Sequence, residues 1–212
     1  MSAVRKVHEL SKQINMATEK KYKLTDESIT IGNRQLYRIE VLKNFGDVHK
    51  GDKGGFIESE VNLSHNGDCW VFGNAEIYGN AEIYGNAKVY GNAMVLGGAE
   101  VYGDAVVSGN AVVLDYVRVF DNAVVGGHTV VSGNAVVSGD AKIGSNSDYI
   151  VFKNWWSSGR YFTWTRSNNM WRVGCFYGTG EELIAKAYKD SELSGREYER
   201  VVKYVESILK ED

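Results

Sequence analysis

The chain contains no proline. Its turns must be made by residues that tolerate left-handed backbone, and the 24 glycines are the main supply. Cysteine is nearly as scarce: Cys69 and Cys175 stand far apart, which fits a reducing cytosol better than a disulfide scaffold. The four histidines, His8, His49, His65 and His128, have no clustered spacing, so no metal site is expected. No apolar run approaches a membrane span, and no signal peptide is expected. Net charge is −3, far from a polycation, but it is unevenly spread: +2 over residues 1–64, −6 over 65–148 and +1 over 149–212.

What is present is a six-residue repeat from Val71 to Asp148, reading VFGNAE, IYGNAE, IYGNAK, VYGNAM, VLGGAE, VYGDAV and onward to VSGDAK and IGSNSD. The first position is Val or Ile throughout. The fifth is small, with Val117 and Thr129 as exceptions; the third is mostly Gly and the fourth mostly Asn or Asp. The fifth position and the next first position are two apart, so in an extended chain they point to one side. The Gly-Asn pair supplies a corner, since both residues tolerate positive φ. Strands this short cannot bury an inward face alone; stacked units can, and Ala leaves room for Val or Ile. HNGDCW, from His65, reads as a degenerate first rung with Cys69 in the small position.

This pattern resembles the hexapeptide-repeat family. The resemblance implies a left-handed parallel β-helix in which three hexads make one triangular coil, giving about four and a third coils and roughly 20 Å of height. Many members are acyltransferases with a His general base beside a loop leaving the coils. Here His128 is the only histidine inside the regular repeat, in VGGHTV, and no inserted loop breaks the register. It is read as a replacement for Asn at a corner. Some relatives carry a three-His metal site, for which this chain lacks the spacing. Members commonly form trimers.

Second and sixth positions of each hexad point outward, and residues eighteen apart stack. This gives a ladder of Tyr84, Tyr102 and Phe120, one of Tyr78, Leu96 and Leu114, and the pair Phe72 and Tyr90. Further outward rows are Met94, Val112 and Val130, and Val106 with Val124. Stacked apolar rows form a contiguous patch that needs cover. A homo-oligomer, a trimer foremost, is expected to bury part of it. The weakest unit is VLDYVR, where Tyr116 and Val117 replace Asn and Ala.

Four regions are expected. Residues 1–20 hold an amphipathic helix, with Val4, Val7, Leu10 and Ile14 at near-helical spacing. Residues 21–64 form a β cap: strands at Tyr22–Leu24, Ile29–Ile31 and Leu36–Val41, a hairpin at Gly32-Asn33, and Phe56 and Ile57 plugging the open end of the solenoid. The Gly-rich stretch between Phe45 and Glu58, with Lys50 and Lys53, lacks phosphate-loop spacing and reads as a connector. Residues 65–148 are the solenoid. Residues 149–212 form an α+β module: a three-stranded meander to Gly178 with turns at Ser157-Ser158-Gly159 and Asn168-Asn169, then helices from about Gly180 to Lys189 and Gly195 to Leu209. Thr179 and Glu182 form a capping box. The fold class is thus mainly β.

The meander contains no acid between Tyr149 and Gly178. Arg160, Arg166 and Arg172 lie among Trp156, Trp164 and Trp171, so an anionic aromatic ligand could stack and pair there. The other reading makes the aromatics the core of the module. The acidic solenoid would repel a long polyanion, which leaves a small ligand or a protein as the partner. Cys175 in VGCFYG reads as a buried small residue.

Residues YKLTDESITIGNRQLYRIEVLKNFGDVHKGDKGGFIESEVNLSHNGDCWVFGNA, the GNA repeats, and the ending VGCFYGTGEEL with its GREY helix also resemble a family of phage and prophage proteins. That resemblance implies an accessory or anti-defence protein of the bacterial cytoplasm and no established activity. The expectation is a non-enzymatic binding protein without cofactor, with an acyltransferase and a polymer-forming solenoid as alternatives.

Overall fold

A computed structural model describes residues 19–156 and 158–210. The expected helix at the N-terminus lies outside the described residues. An antiparallel hairpin, β1 (Tyr22–Ile31) and β2 (Arg34–Val41), turns at Gly32, φ +60°. β1 is one strand where two were expected, because a bulge between Leu24 and Ser28 absorbs the polar interruption. β3 (Lys53–Ile57) pairs with β2 on one side and, in parallel, with the solenoid on the other. Thirteen two-residue strands follow, β4 to β16, from Trp70–Val71 to Lys142–Ile143.

These strands stack into three parallel faces of a β-solenoid of about five turns, roughly 24 Å tall at ~4.8 Å per coil. Every first-position Val or Ile and every fifth-position Ala is buried. Val117 and Thr129 fill the Ala place and are buried too, the Thr129 hydroxyl without a partner. The first coil begins earlier than the hexads do: Phe56 pairs with Glu76, Ile57 with Ile77, and Leu63 bridges Ile83. Phe56 and Ile57 are therefore a rung and not a plug.

The corners differ from expectation in one respect. Only the third position is left-handed: Gly73, Gly79 and their equivalents lie near φ +70°, and Asp115 (65°) and Asp121 (59°) take the same conformation. Both aspartates are anchored by accepting from the next coil's amide, Gly133 at 2.9 Å and Gly139 at 3.0 Å. The fourth-position Asn is not left-handed. It serves a ladder between coils: Asn86 donates to Asp104 (3.0 Å), Asn122 to Asp140 (3.0 Å), Asn92 to Asn110 (3.2 Å).

Both ends of the solenoid are sealed by side chains. Sixth-position amides normally donate to the fifth-position carbonyl of the following coil, as Arg118 does to Ala135. The last coil has no successor, and side-chain oxygens replace it. Val130 donates to Asn146 Oδ1 (2.8 Å), Val136 to Thr163 Oγ1 (2.9 Å) and Lys142 to Ser167 Oγ (2.7 Å). At the first coil the orphans are carbonyls, and donors arrive. Lys21 Nζ reaches Gly67 and Cys69 (3.0 and 2.9 Å), Tyr22 Oη reaches Leu63 (2.7 Å), and the third face continues into the hairpin. Buried backbone groups are expensive to leave unpaired, so each end is a fixed boundary.

After the last coil come β17 (Tyr149–Lys153), β18 (Tyr161–Thr165), β19 (Met170–Val173) and β20 (Phe176–Gly178), an antiparallel sheet in sequence order. It has four strands where three were expected, because left-handed Gly174 (φ +59°) turns VGCFYG into a hairpin. Helices α1 (Gly180–Asp190) and α2 (Glu192–Ile208) pack on it. The Thr179–Glu182 capping box forms. Ser191 ends α1 and caps α2, so α2 starts ahead of Gly195; that glycine is needed because the Tyr188 ring occupies the space of a side chain there.

Candidate functional site

The three corners of the solenoid are not alike. One carries Asn86, Asp104, Asn122 and Asp140; a second carries Asn92, Asn110 and His128, whose Nε2 lies 2.9 Å from Asn110 Nδ2. His128 thus continues an asparagine ladder. The third corner reads Asn80, Gly98, Tyr116 and Asn134, and here the ladder is broken in the middle. Gly98 has no side chain. The Tyr116 ring lies against it, so that an added Cβ would meet the ring at 3.2 Å, yet Tyr116 remains 71% exposed.

A groove runs along this corner between the two terminal regions. Its first half, about 550 Å³, is lined by Arg34, Glu58, Asn80, Gly98, Asp115 and Tyr116. The second, about 460 Å³, is lined by Glu100, Tyr116, Arg118, Asn134, Arg160 and Tyr161. Both volumes lie within the range of small-molecule sites. Gly98 and Tyr116 belong to both halves.

The groove is built from rigid parts. Arg34 Nη1 donates to both oxygens of Glu58 (2.8 and 2.9 Å), and Glu58 also accepts from the Gly79 amide (2.7 Å), which ties the hairpin tip to the solenoid. That amide bond first, and Arg34 after it, hold the Glu58 carboxyl below its ordinary range. Glu100 accepts from Tyr84 Oη (3.0 Å). Burial first, then this bond, raises the Tyr84 phenol. Arg118 stands on the same face as Glu100, one coil on. Arg118 and Arg160 are exposed and form no ion pair among the described residues.

The structure disperses the residues that the sequence grouped. Of the three arginines, Arg160 faces the groove. Arg166 lies at the seam with the last coil, its Nε donating to Ser147 O (3.4 Å) and its amide to Asp148 O. Arg172 lies between Phe120 (5.1 Å) and Tyr177 (5.8 Å), at the end of a stack in which Tyr84, Tyr102 and Phe120 are nearly parallel at 4.7 and 4.8 Å. That aromatic ladder is therefore covered at its far end by the chain itself. Trp164 and Trp171 are cross-strand partners buried under the helices, where no ligand can stack on them. Trp156 packs against Phe162 and Tyr198, whereas its neighbour Trp155 is 81% exposed.

The apolar rows form as expected: Met94, Val112 and Val130 are paired in register, as are Val106 and Val124, and Val130 is 43% exposed. Lys88, beside Val106, pairs with Asp47. Lys53 pairs with Glu27 of β1, and the Lys50 amide donates to Asn44, so the Gly-rich connector is tied to the hairpin. Cys69 is buried, and burial pushes its thiol up; Cys175 is exposed, contrary to expectation, because it occupies the hairpin turn after Gly174. Among the described residues no group of three or more His, Cys, Asp or Glu side chains is placed to hold a metal ion, and no helix is long and apolar enough to cross a membrane. No protein-family model and no curated protein matches the chain.

Proposed function

We propose that this chain is a non-enzymatic binding protein whose recognition surface is the groove at the junction of the solenoid with its terminal regions, and that its ligand is a small planar anion of the nucleotide kind. The observation that carries this reading is the interrupted corner. Of the three corners, one has Gly98 and Tyr116 in place of polar residues, and the exposed Tyr116 lines a groove there with Arg118 and Arg160, neither of which forms an ion pair among the described residues. An aromatic face and a guanidinium together suit a base and a phosphate. On the phage-family resemblance the chain is an accessory or anti-defence factor of a bacterial cytoplasm, working by sequestration. On the hexapeptide resemblance it is a homo-trimer joined through the Met94–Val112–Val130 row. Against the acyltransferase alternative, His128 continues the corner ladder beside Asn110. Against the polymer alternative, side-chain acceptors occupy the amides of the last coil.

Titration of intrinsic fluorescence with mono-, di- and cyclic nucleotides, beside long single-stranded DNA, tests the reading. Saturable nucleotide binding is expected, lost in Arg160→Glu and Arg118→Glu and kept in Lys88→Glu. Tight, salt-sensitive DNA binding without a nucleotide response would refute it. Silence toward both leaves a host protein as the partner.

A further inference from the structure

The two halves of the groove differ in charge. Around Arg118, Arg160 and Glu100 the formal sum is +1, and the one carboxylate is engaged by Tyr84. Around Arg34, Glu58 and Asp115 it is −1, and the one cation is held by Glu58. Asp115 accepts from the Gly133 amide through one oxygen, has no hydrogen bond to the other among the described residues, and lines the groove. Tyr116 lies between the halves and belongs to both. From the Asn80 rung to the Asn134 rung is three coils, about 14 Å at ~4.8 Å each.

We infer that the groove binds its ligand in one direction: the acidic head on Arg118 and Arg160, the planar ring on Tyr116, and the exocyclic amine of that ring toward Asp115. This rests on the reading that the groove is a nucleotide site, and it narrows the class to nucleoside monophosphates whose base carries an exocyclic amine. The head needs cations free of internal partners, which only the Arg118–Arg160 half supplies. The opposite half offers acceptors, the carboxylate oxygens of Asp115 and Glu58. With the exocyclic position of the base set against Asp115, a carbonyl oxygen there meets a carboxylate and is disfavoured, while an amine donates to it; the ring N–H of uracil or hypoxanthine lies one atom away and only partly compensates. Stacking on Tyr116 tolerates every base, so discrimination falls to Asp115 alone.

The test is calorimetric titration of the full chain with AMP, CMP, UMP and IMP. The amine-bearing AMP and CMP are expected to bind about tenfold more tightly than IMP and UMP, respectively, as befits one hydrogen bond to a charged group. Asp115→Asn keeps the side-chain shape and the acceptor toward Gly133; it is expected to bring each pair within about threefold while leaving UMP affinity unchanged or improved. Arg118→Gln is expected to abolish binding of all four. Equal affinities in the wild-type protein, or discrimination that survives Asp115→Asn, would overturn the orientation and leave the nucleotide reading standing. No binding of any nucleotide by wild-type protein that is folded by circular dichroism would overturn both.

Discussion

Thr163→Val isolates the sealing of the solenoid end. Valine keeps the shape of threonine and fits the same buried place, so no cavity forms; only the hydroxyl goes. The Val136 amide then loses its 2.9 Å acceptor and has no coil beyond it to supply another. An amide left without a partner in a partly buried position costs about 1–3 kcal/mol, where a solvent-exposed one would cost little. In a chain of this size each kcal/mol lowers Tm by about 2–4 °C, so a fall of about 2–12 °C is expected. Amide hydrogen exchange gives the local reading. Exchange at Val136 should accelerate, while Arg118, whose amide donates to Ala135 one coil earlier, should be unchanged at equal global stability. Wild-type Tm together with unaltered Val136 exchange would show that the seal contributes nothing and that the end is held by packing alone.

Other consequences are as direct. Val101→Ala opens a cavity between coils and should cost about 1–3 kcal/mol in chemical denaturation, with Tyr102→Ala costing less despite the larger deletion; equal losses would count against the inward register. His65 stacks on Tyr22 at 4.2 Å, its Nδ1 accepts the Lys21 amide (3.4 Å), and burial holds its pKa below the ordinary value against the opposing pull of Glu60. The unfolded chain therefore takes up the proton first, and stability falls as pH drops below about 6.5 while staying level above it. His65→Gln should flatten that limb, and an unchanged slope between pH 7 and pH 5 would refute the assignment. Light scattering at micromolar concentration should report three copies per particle, and Val130→Glu should yield monomers; a monomeric wild-type protein would remove the interface role of the Met94–Val112–Val130 row.

The solenoid was legible because its period is strict: a buried residue at each first and fifth position leaves little freedom in register. Where the period lapses, reading stopped too early. Ile57 lies twenty residues from its partner Ile77, while the hexads lie eighteen from theirs, so the first coil does not show in the strict period. The role of the corner asparagines was misread because φ tolerance and ladder bonding favour the same residue type. Trp164 and Trp171 look like stacking platforms in a list of residues, but alternation turns both toward the helices. The groove could have been found by writing the hexads in columns of eighteen. One column then contains Gly98 and Tyr116 amid asparagines, where the other two have Asn, Asp or His at every rung. Arg34 and Arg160, which flank it, come from regions with no repeat to align, and only the fold brings them to the same corner.

The seals at the two ends have a bearing on how such a site can change. Since Lys21 and Tyr22 close one end and Asn146, Thr163 and Ser167 the other, nothing in the seals depends on how many coils lie between. Duplicating or deleting eighteen residues would move Arg34 and Arg160 apart or together by about 4.8 Å and leave both closures intact. The length of the groove is therefore a count of coils, and a single unequal exchange in the hexads ahead of Gly98 would resize it in one step while leaving Asp115, Tyr116 and Arg118 in place.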